Sequence, residues 1–468
     1  MKNLLIMLLA LSMILCMVAC NDNSADTPTV AETTAPEQPT EAPTEQPTEQ
    51  PTEQPTEQPT ETETTPGGDD PIDQVVYSPN WNALSDLMKP VLAYNDGTVT
   101  NETVMFLDYG DEKTLLYPIE SVTSVTSYDG SVVYEEGKDY SVVNGKLKIL
   151  TGSSIPCITS AKYYASTDST LATMHNGNRV NTHWGEGKPM TDYQVNVNYT
   201  HDDVWEGFEQ KWEEDIYAAF LEKLTAGVDV TVFFYGDSIT RGANSSWEKQ
   251  YAPYQYPYSV LFVQALADLY GYTVEFKSSG ISGTFGSVVT APQNYVGGTR
   301  GTITYVNTSV GGLTTQVAKD NFNTHVKPFI DQYGCDLFIC AFGINDRTDG
   351  ATSAANNIKA IVNQTIAIAP FTNVMIVSTM VANPNAVNGW STDQNAQESK
   401  LRSFARELAD SGVACGIARM TSVSESVLEY KEFHDYSGNN INHPNDFFIR
   451  LYAQTLFQTL IGYENMPA

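Results

Sequence analysis

The segment VTVFFY (230–235) runs directly into GDSITRG (236–242), and this junction decides the fold predicted for the chain. Every residue of the first segment is β-branched or aromatic, which is typical of a strand buried in a parallel sheet. Gly236 and Gly242 allow the tight turn that must follow. In an open α/β sheet, reactive side chains lie at the carboxyl ends of the strands. The junction therefore predicts a buried strand that presents Ser238 at the edge of a parallel sheet.

A serine in such a turn is not sufficient by itself, because a Gly-Asp-Ser triplet is also common in ordinary polar turns. Three further polar segments lie where a predicted apolar element begins or ends: 307–312, 343–346 and 442–445. The first two follow apolar runs, and the third opens the amphipathic segment 447–453, whose spacing suits a helix. Serine, glycine, asparagine and histidine therefore occur in that order, each at the boundary of a predicted element.

The four segments resemble the sequence blocks of the SGNH (GDSL-like) hydrolase superfamily, which is named for those four residues. The resemblance covers 226–468, about half of the chain. It implies a three-layer α/β/α hydrolase domain with a flavodoxin-like parallel sheet. It also implies hydrolysis of carboxylic esters, with Ser238 as the nucleophile and His443 as its general base.

Ester hydrolysis passes through a tetrahedral oxyanion, so the site needs a nucleophile, a base and hydrogen-bond donors aimed at the developing charge. We predict that His443 takes the proton of Ser238 and returns it to the leaving group. The oxyanion hole that the resemblance implies consists of the backbone N–H of Ser238, the backbone N–H of a glycine in the second block, and the side-chain amide of Asn345. An asparagine amide donates a hydrogen bond without bringing charge to the site.

Two glycines compete for the second block. Gly312 lies in 307–315, which resembles the N-x-x-x-x-G-x-T-T pattern of the superfamily. Gly283 is the alternative, because it lies nearer to Ser238 along the chain. We favour Gly312, since a predicted helix at 316–333 leads from its block to the next predicted strand, as a crossover between parallel strands requires.

The residue expected to orient His443 departs from the pattern of the superfamily. Many members have an aspartate three residues before the histidine, where this chain has Asn440. An asparagine carbonyl can hold the imidazole tautomer, but it adds no charge to stabilise an imidazolium. The sequence thus favours a Ser-His dyad with Asn440 or a backbone carbonyl as the orienting group. Asp435 and Asp446 remain alternatives, although each is also explained as a helix cap or a surface charge.

The first 20 residues resemble the signal of a bacterial lipoprotein. Lys2 precedes the apolar run 4–17, which is too short to favour a membrane-spanning helix, and Cys20 stands where the lipid would be attached. An ordinary secretory signal cut elsewhere is the alternative. Residues 21–70 form a Pro-, Thr- and Glu-rich tract that predicts an extended, disordered linker. We therefore expect an exported protein, anchored at the extracellular face of the bacterial surface through Cys20.

The charge of the chain restricts its partners. It carries 56 acidic and 25 basic residues, for a formal net charge of −31, which argues against nucleic acid as a partner. Contact with a membrane is expected only through the lipid on Cys20. The histidines outside the fourth block show no metal-ligand spacing, and the resemblance implies no metal and no organic cofactor.

Residues 71–199 differ in pattern from the rest of the chain. They contain short strand-like runs and a hairpin signal at Asn144-Gly145, since Asn-Gly supplies the positive φ angles of a type I′ turn. We predict a small antiparallel, sandwich-like β domain at 71–199 that precedes the hydrolase domain at 200–468. An accessory β domain in this place resembles the layout of some exported carbohydrate esterases.

The sequence therefore predicts a surface-anchored serine esterase, similar to acetylxylan esterases, whose partner is an acetylated polysaccharide. One alternative is an esterase acting on lipid or peptidoglycan acetyl esters. Another is a non-catalytic surface protein that binds glycans in the same cleft. Asn440 in place of an acid favours the non-catalytic alternative, whereas Ser238, Asn345 and His443 favour the enzyme.

Overall fold

The computed structural model describes residues 83–164, 173–175, 178–180, 187–279, 281, 292–347, 349–386, 390 and 393–465. The chain divides into two compact units, Met1–Thr65 and Pro66–Ala468, and all of the described residues belong to the second. The predicted signal (1–20), including Cys20, and the linker (21–70) lie outside the described residues, as does Gly283. Those predictions, and the predicted domain boundary at 199/200, stay predictions.

The part of the chain from 98 to 200, here called the β region, contains antiparallel strands and two short helices among its described residues. The strands are β1 (Thr98–Met105), β2 (Glu112–Lys113), β3 (Ser121–Ser127), β4 (Val133–Tyr134), β5 (Tyr140–Val143), β6 (Lys146–Ile149), β7 (Thr173–His175), β8 (Asn178–Val180) and β9 (Gln194–Thr200). The strand orders are β1-β9-β3-β4, β2-β6-β5 and β7-β8. Val143 pairs with Lys146 across Asn144 and Gly145, whose φ angles are 52° and 73°, so the predicted hairpin is confirmed.

Strand β9 shows how the β region is placed. Its apolar residues Val195, Val197 and Tyr199 alternate with polar residues and belong to the main hydrophobic core. Gln194 and Asn196, on the opposite face, are equally buried. An antiparallel strand with one solvated face would leave those polar side chains in water. These two polar side chains are therefore covered by protein rather than by water.

The helices of the described residues follow the same chain order. They are α1 (Leu84–Met88), α2 (Ser160–Tyr163), α3 (Lys188–Thr191), α4 (Glu214–Ala226), α5 (Ser238–Arg241), α6 (Tyr258–Tyr270), α7 (Thr315–Asp320), α8 (Phe322–His325), α9 (Lys327–Tyr333), α10 (Gly350–Ile368), α11 (Gln394–Asp410), α12 (Met420–Leu428), α13 (Phe433–Tyr436) and α14 (Asp446–Leu460), with a final 3₁₀ turn at Tyr463–Asn465. The crossover predicted as one helix at 316–333 is three short helices, with Pro328 in the first turn of α9. Among the described helices, none is both long and apolar enough to cross a membrane.

The central sheet contains the remaining strands. They are β10 (Val230–Gly236), β11 (Thr273–Lys277), β12 (Tyr295–Val296), β13 (Thr302–Asn307), β14 (Leu337–Ala341), β15 (Asn373–Val377) and β16 (Cys415–Ala418). Their order is β12-β11-β13-β10-β14-β15-β16, and every pairing except that of β12 is parallel. The five strands β13-β10-β14-β15-β16 follow the flavodoxin-like order 2-1-3-4-5, with β11 and β12 added at one edge.

Strand β10 is covered on both faces, as its continuous apolar sequence predicted. Val232 and Phe234 pack in one core with residues of α4, α6 and α14. Phe233 and Tyr235 pack in a second core with residues of α7 to α11. The predicted fold class, a three-layer α/β/α domain preceded by antiparallel β structure, is confirmed. The first core also includes apolar residues of the β region, so the β region and the α/β region share one hydrophobic cluster.

Candidate active site

The nucleophile turn is built on the carboxyl end of β10. Helix α5 begins at Ser238, and the carboxyl of Asp237 caps it by accepting a hydrogen bond from the N–H of Ile239 at 3.0 Å. A side chain at Gly236 would clash with Thr240 and with the carbonyl of Ala341. As the first helical residue, Ser238 has no intrahelical acceptor for its own N–H. That N–H is therefore available as an oxyanion donor.

The structure brings Ser238 and His443 together. The Oγ of Ser238 lies 2.9 Å from the Nε2 of His443, although 205 residues separate them in sequence. His443 belongs to the loop 437–445, here called the histidine loop, which leads into α14. Both side chains are more than 90% buried. This distance is within the range that direct proton transfer from a serine to a general base requires.

The other imidazole nitrogen faces a residue that the sequence did not indicate. The Nδ1 of His443 lies 3.2 Å from the Oδ1 of Asn244. An amide oxygen can only accept, so this contact selects the tautomer with the proton on Nδ1 and leaves Nε2 free to accept the serine proton. Asn244 is fully buried and has a φ of 66°, in the left-handed region. A side chain at Gly438 would clash with Asn244, so that glycine makes room for it.

A sequence signal for Asn244 existed but was weak. Asparagine tolerates positive φ angles better than most residues, and Asn244 follows the glycine that ends α5. No spacing linked it to His443, because the two side chains meet only through the packing of the histidine loop on the nucleophile turn.

Asn440 and Asp435, the predicted orienting residues, have other partners in the structure. The Nδ2 of Asn440 donates to the hydroxyl of Tyr163 at 3.0 Å, and its Oδ1 accepts from Asn383 at 3.2 Å. The carboxyl of Asp435 accepts from the N–H of Met105 at 2.8 Å and closes the capping box of α13. Both side chains therefore contact residues of the β region, whereas the Nδ1 of His443 faces Asn244.

Asp446, the remaining alternative, also has another partner. It begins α14, and its Oδ1 accepts from the N–H of Ser246 at 2.9 Å. Burial raises the pKa of its carboxyl to about 7. Asp446 thus ties the start of α14 to the segment that follows the nucleophile turn.

The loops expected to complete the oxyanion hole flank the serine. Val310 donates from its N–H to the carbonyl of Gly236 at 3.2 Å, which places the loop after β13 beside the nucleophile turn. Asp237 donates in the same way to Ala341, the last residue of β14. The parallel sheet therefore brings the loops carrying Gly312 and Asn345 to the same edge as Ser238.

Asn345 and Gly312 have geometries compatible with donation. The Nδ2 of Asn345 donates to the carbonyl of Leu313 at 3.0 Å, which uses one of its two N–H donors. Gly312 is exposed, and its φ of 78° rather than any lack of space is what favours glycine there. The Asn345–Leu313 bond joins the two loops.

Two acidic residues support these loops. Asp346 accepts from the N–H of Thr315 at 3.0 Å and from its hydroxyl, which fixes the start of α7 against the Asn345 loop. Burial is the main cause that raises the pKa of Asp237 to about 7. The hydrogen bond from the N–H of Ile239 lowers this pKa, and the charge of Asp346 raises it. Burial also raises the pKa of Asp346. These carboxyls hold the turns in place.

The described residues contain one group of side chains with metal-ligand geometry, Glu432, His434 and Asp435. The Nζ of Lys113 lies 3.0 Å from the Nε2 of His434 and 3.4 Å from the Oδ1 of Asp435. An ammonium group therefore lies where a cation would bind. The arrangement is an ion-pair cluster between the β region and α13.

Comparison with known proteins gave matches among solved structures alone, since no family model and no curated protein matches the chain. A two-domain esterase active on acetylated mannans, co-crystallised with mannopentaose, is 16% identical over 55% of this chain and 56% of that chain, with a TM-score of 0.39. The chain spans about half the length of the two-domain esterase structures that it matches.

Two smaller proteins match along nearly their whole length. A GDSL-like lipase from Parabacteroides merdae is 16% identical, with 49% of this chain and 94% of that chain covered and a TM-score of 0.33. An acetylxylan esterase from Geobacillus stearothermophilus is 14% identical, with 51% and 97% covered and a TM-score of 0.35.

Proposed function

We propose that this protein is a serine esterase of the SGNH type that removes acetyl groups from polysaccharides. The observation that carries the proposal is the 2.9 Å separation between the Oγ of Ser238 and the Nε2 of His443. That pair lies at the carboxyl end of β10, where the strand order of the sheet reverses and where ligands bind in open α/β sheets.

The first half of the reaction forms an acyl-enzyme. As the Oγ of Ser238 attacks the ester carbonyl carbon, its proton passes to the Nε2 of His443. The carbonyl oxygen becomes an oxyanion, and the N–H of Ser238, the N–H of Gly312 and the amide of Asn345 are the donors proposed to stabilise it. The carbon–oxygen bond to the sugar then breaks, and the imidazolium protonates the departing sugar oxygen.

The second half releases acetate. A water molecule gives a proton to the Nε2 of His443 and attacks the acetyl carbonyl, so a second oxyanion forms at the same donors. Its collapse breaks the bond to Ser238, whose Oγ recovers the proton. Asn244 holds the imidazole through Nδ1 in both halves, but it supplies no charge to the imidazolium. The site is therefore proposed to act as a dyad with an amide as the orienting group.

The polysaccharide substrate is the finer part of the proposal. The solved structures that match include esterases active on acetylated mannans and acetylated xylan, and those substrates are therefore the first to test. The proposed lipid anchor at Cys20 and the acidic linker would hold the enzyme outside the cell, where such polymers occur.

The test is acetate release by the full chain from acetylated mannan, acetylated xylan and acetylated peptidoglycan, beside the Ser238→Ala variant. We expect release from one of the two plant-type polymers and none from the variant, with unchanged far-UV circular dichroism. Release that persists in Ser238→Ala would contradict the assignment of the nucleophile. Binding without release by the wild-type protein would instead identify a glycan-binding surface protein.

A further inference from the structure

The β region contacts the part of the chain that carries the general base. The side chain of Gln194 lies against α13 and the two ends of the histidine loop. Gln194, the first residue of β9, is 1% exposed and lies at the centre of this contact. A separate binding domain would not be expected to place a buried polar side chain against a catalytic loop.

Gln194 connects both ends of the histidine loop. Its Nε2 donates to the carbonyl of His434 at 2.7 Å and to the carbonyl of Ser437 at 2.8 Å. Its Oε1 accepts from the Nδ2 of Asn445 at 2.9 Å. Ser437 precedes His443 by six residues and Asn445 follows it by two, so one side chain holds the loop at its beginning and at its end.

Asn445 connects the β region to helix α14. Its Nδ2 also donates to the Oγ1 of Thr103 in β1 at 2.9 Å. Its Oδ1 accepts from the N–H of Phe448 and thereby caps α14. The strands β1 and β9 are thus joined through Asn445 to the helix that begins three residues after His443.

Further contacts join the same two parts of the chain. The N–H of Asp446 donates to the hydroxyl of Tyr128 at 2.8 Å, and the N–H of Gly187 donates to the carbonyl of Gly438 at 3.0 Å. Lys431 and Glu102 form an ion pair of 2.6 Å in which neither side chain is exposed. Breaking a buried ion pair or leaving a buried donor unpaired is costly, so this contact is not readily dissociated.

We propose that Gln194 is a positioning residue for His443, and that the β region is thereby part of the esterase site. The proposal rests on the function proposed above. Gln194 does not touch the reacting atoms. It fixes the loop that sets the distance between His443 and Ser238, and a displacement of about 1 Å at such a pair can lower the rate about 100-fold.

The test compares two glutamines with the same bonding pattern in the full chain. Gln194→Met keeps the approximate volume and removes all three hydrogen bonds. The control is Gln210→Met, because Gln210 is also buried, its Nε2 donates to the carbonyls of Lys211 and Ile417, and its Oε1 accepts from the N–H of Arg419. Gln210 contacts β16, three strands away from β10 in the sheet.

We expect Gln194→Met to lower kcat about 10- to 100-fold with KM changed less than about 3-fold, whereas Gln210→Met changes kcat less than about 3-fold. The proton resonance of the His443 Nδ1–H, identified by its absence in His443→Ala, should shift or broaden in Gln194→Met only. A structural role shared by both glutamines would not move that resonance selectively. If Gln194→Met fails to fold, Thr103→Val, which removes one acceptor of Asn445, should change kcat and the resonance in the same direction.

Wild-type kcat and an unchanged resonance in folded Gln194→Met, or in Thr103→Val when it alone folds, would overturn the proposal. An equal loss of kcat in Gln210→Met would overturn it too, because the loss would then follow from stability alone. If the wild-type protein hydrolyses none of the polymers, the proposed function fails. The resonance then decides the positioning role separately, and no change in it would refute that role.

Discussion

The nucleophile turn (236–242) and the histidine loop (437–445) meet at one pair of atoms, but they are held in different ways. The turn is positioned by its own sheet, through the neighbouring strands β13 and β14 and the cap of Asp237. The loop is positioned by side chains from remote segments, including Gln194 of β9 and Asn244. A catalytic pair can therefore combine one partner held by backbone contacts within its own sheet with one that also needs side chains of remote segments.

The largest expected effect tests whether the nucleophile turn and the histidine loop act as one catalytic unit. We expect His443→Ala to lower acetate release about 10,000-fold or more, as much as Ser238→Ala, and the double variant to lose no more than either. The measurement is kcat/KM on the polymer that the wild-type protein deacetylates.

The matched control is His325→Ala, at the end of α8, which should retain activity within about 3-fold. If the double variant lost the product of the two single-variant factors in kcat/KM, Ser238 and His443 would act independently. That result would contradict the prediction that the turn and the loop form one catalytic unit.

A smaller effect on activity is expected at Asn244, whose side chain faces His443 of the histidine loop. Asn244→Ala removes the partner of the His443 Nδ1, and we expect kcat to fall about 10- to 100-fold because the imidazole loses its orientation. Asn440→Ala should cost less than about 10-fold, since Asn440 contacts Tyr163 and Asn383. Steady-state kinetics on one polymer compares the two variants.

The comparison is sharpened by Asn244→Asp, in which a carboxylate would stabilise the imidazolium and move the acidic limb of the kcat profile to higher pH. A greater loss in Asn440→Ala than in Asn244→Ala would show that the sequence-based choice of orienting residue was right.

The smallest effect concerns stability, at the contact between the start of α14 and the segment that follows the nucleophile turn. Burial raises the pKa of Asp446 to about 7, so the folded state keeps a proton that the unfolded state releases above about pH 4. The wild-type free energy of unfolding should therefore fall as pH rises between about 4 and 7, and this contribution should level off above 7. Asp446→Asn removes the contribution of this carboxyl, which is at most about 1.4 kcal/mol per pH unit, so the fall becomes shallower.

Urea unfolding of both proteins across this pH range measures the difference. The exposed carboxyl of Asp410 on α11 supplies the control, since Asp410→Asn should leave the pH dependence as it is in the wild type. Parallel wild-type and Asp446→Asn curves would contradict the buried titration.

The comparison also explains what could be predicted from the sequence. The apolar strand that leads to Ser238 and the hairpin at Asn144-Gly145 depend on local patterns, whereas the flavodoxin-like sheet was implied by the resemblance. The structure agrees with all three. The partner of the His443 Nδ1 depends on which distant segments pack together. No local pattern separates Asn244 from Asn440, because both are buried asparagines with positive φ.

The segment that follows β9 shows the same dependence on distant contacts. Of residues 201–226, only Glu214–Ala226 forms a helix. Before it, Gln210 and Glu213 bind the backbone of the edge strand β16, and such side-chain bonds replace the helix for that stretch. This stretch thereby covers the edge of the sheet.

The hydrophobic cluster shared by the β region and the α/β region has a consequence for how this protein can change by recombination. Recombination near residue 200 would combine the histidine loop of one protein with the β region of another, whose strands had evolved against a different histidine loop. We therefore expect the β region and the α/β region to be inherited together. Differences in substrate should arise in the outer loops, while the contact between the two regions is retained.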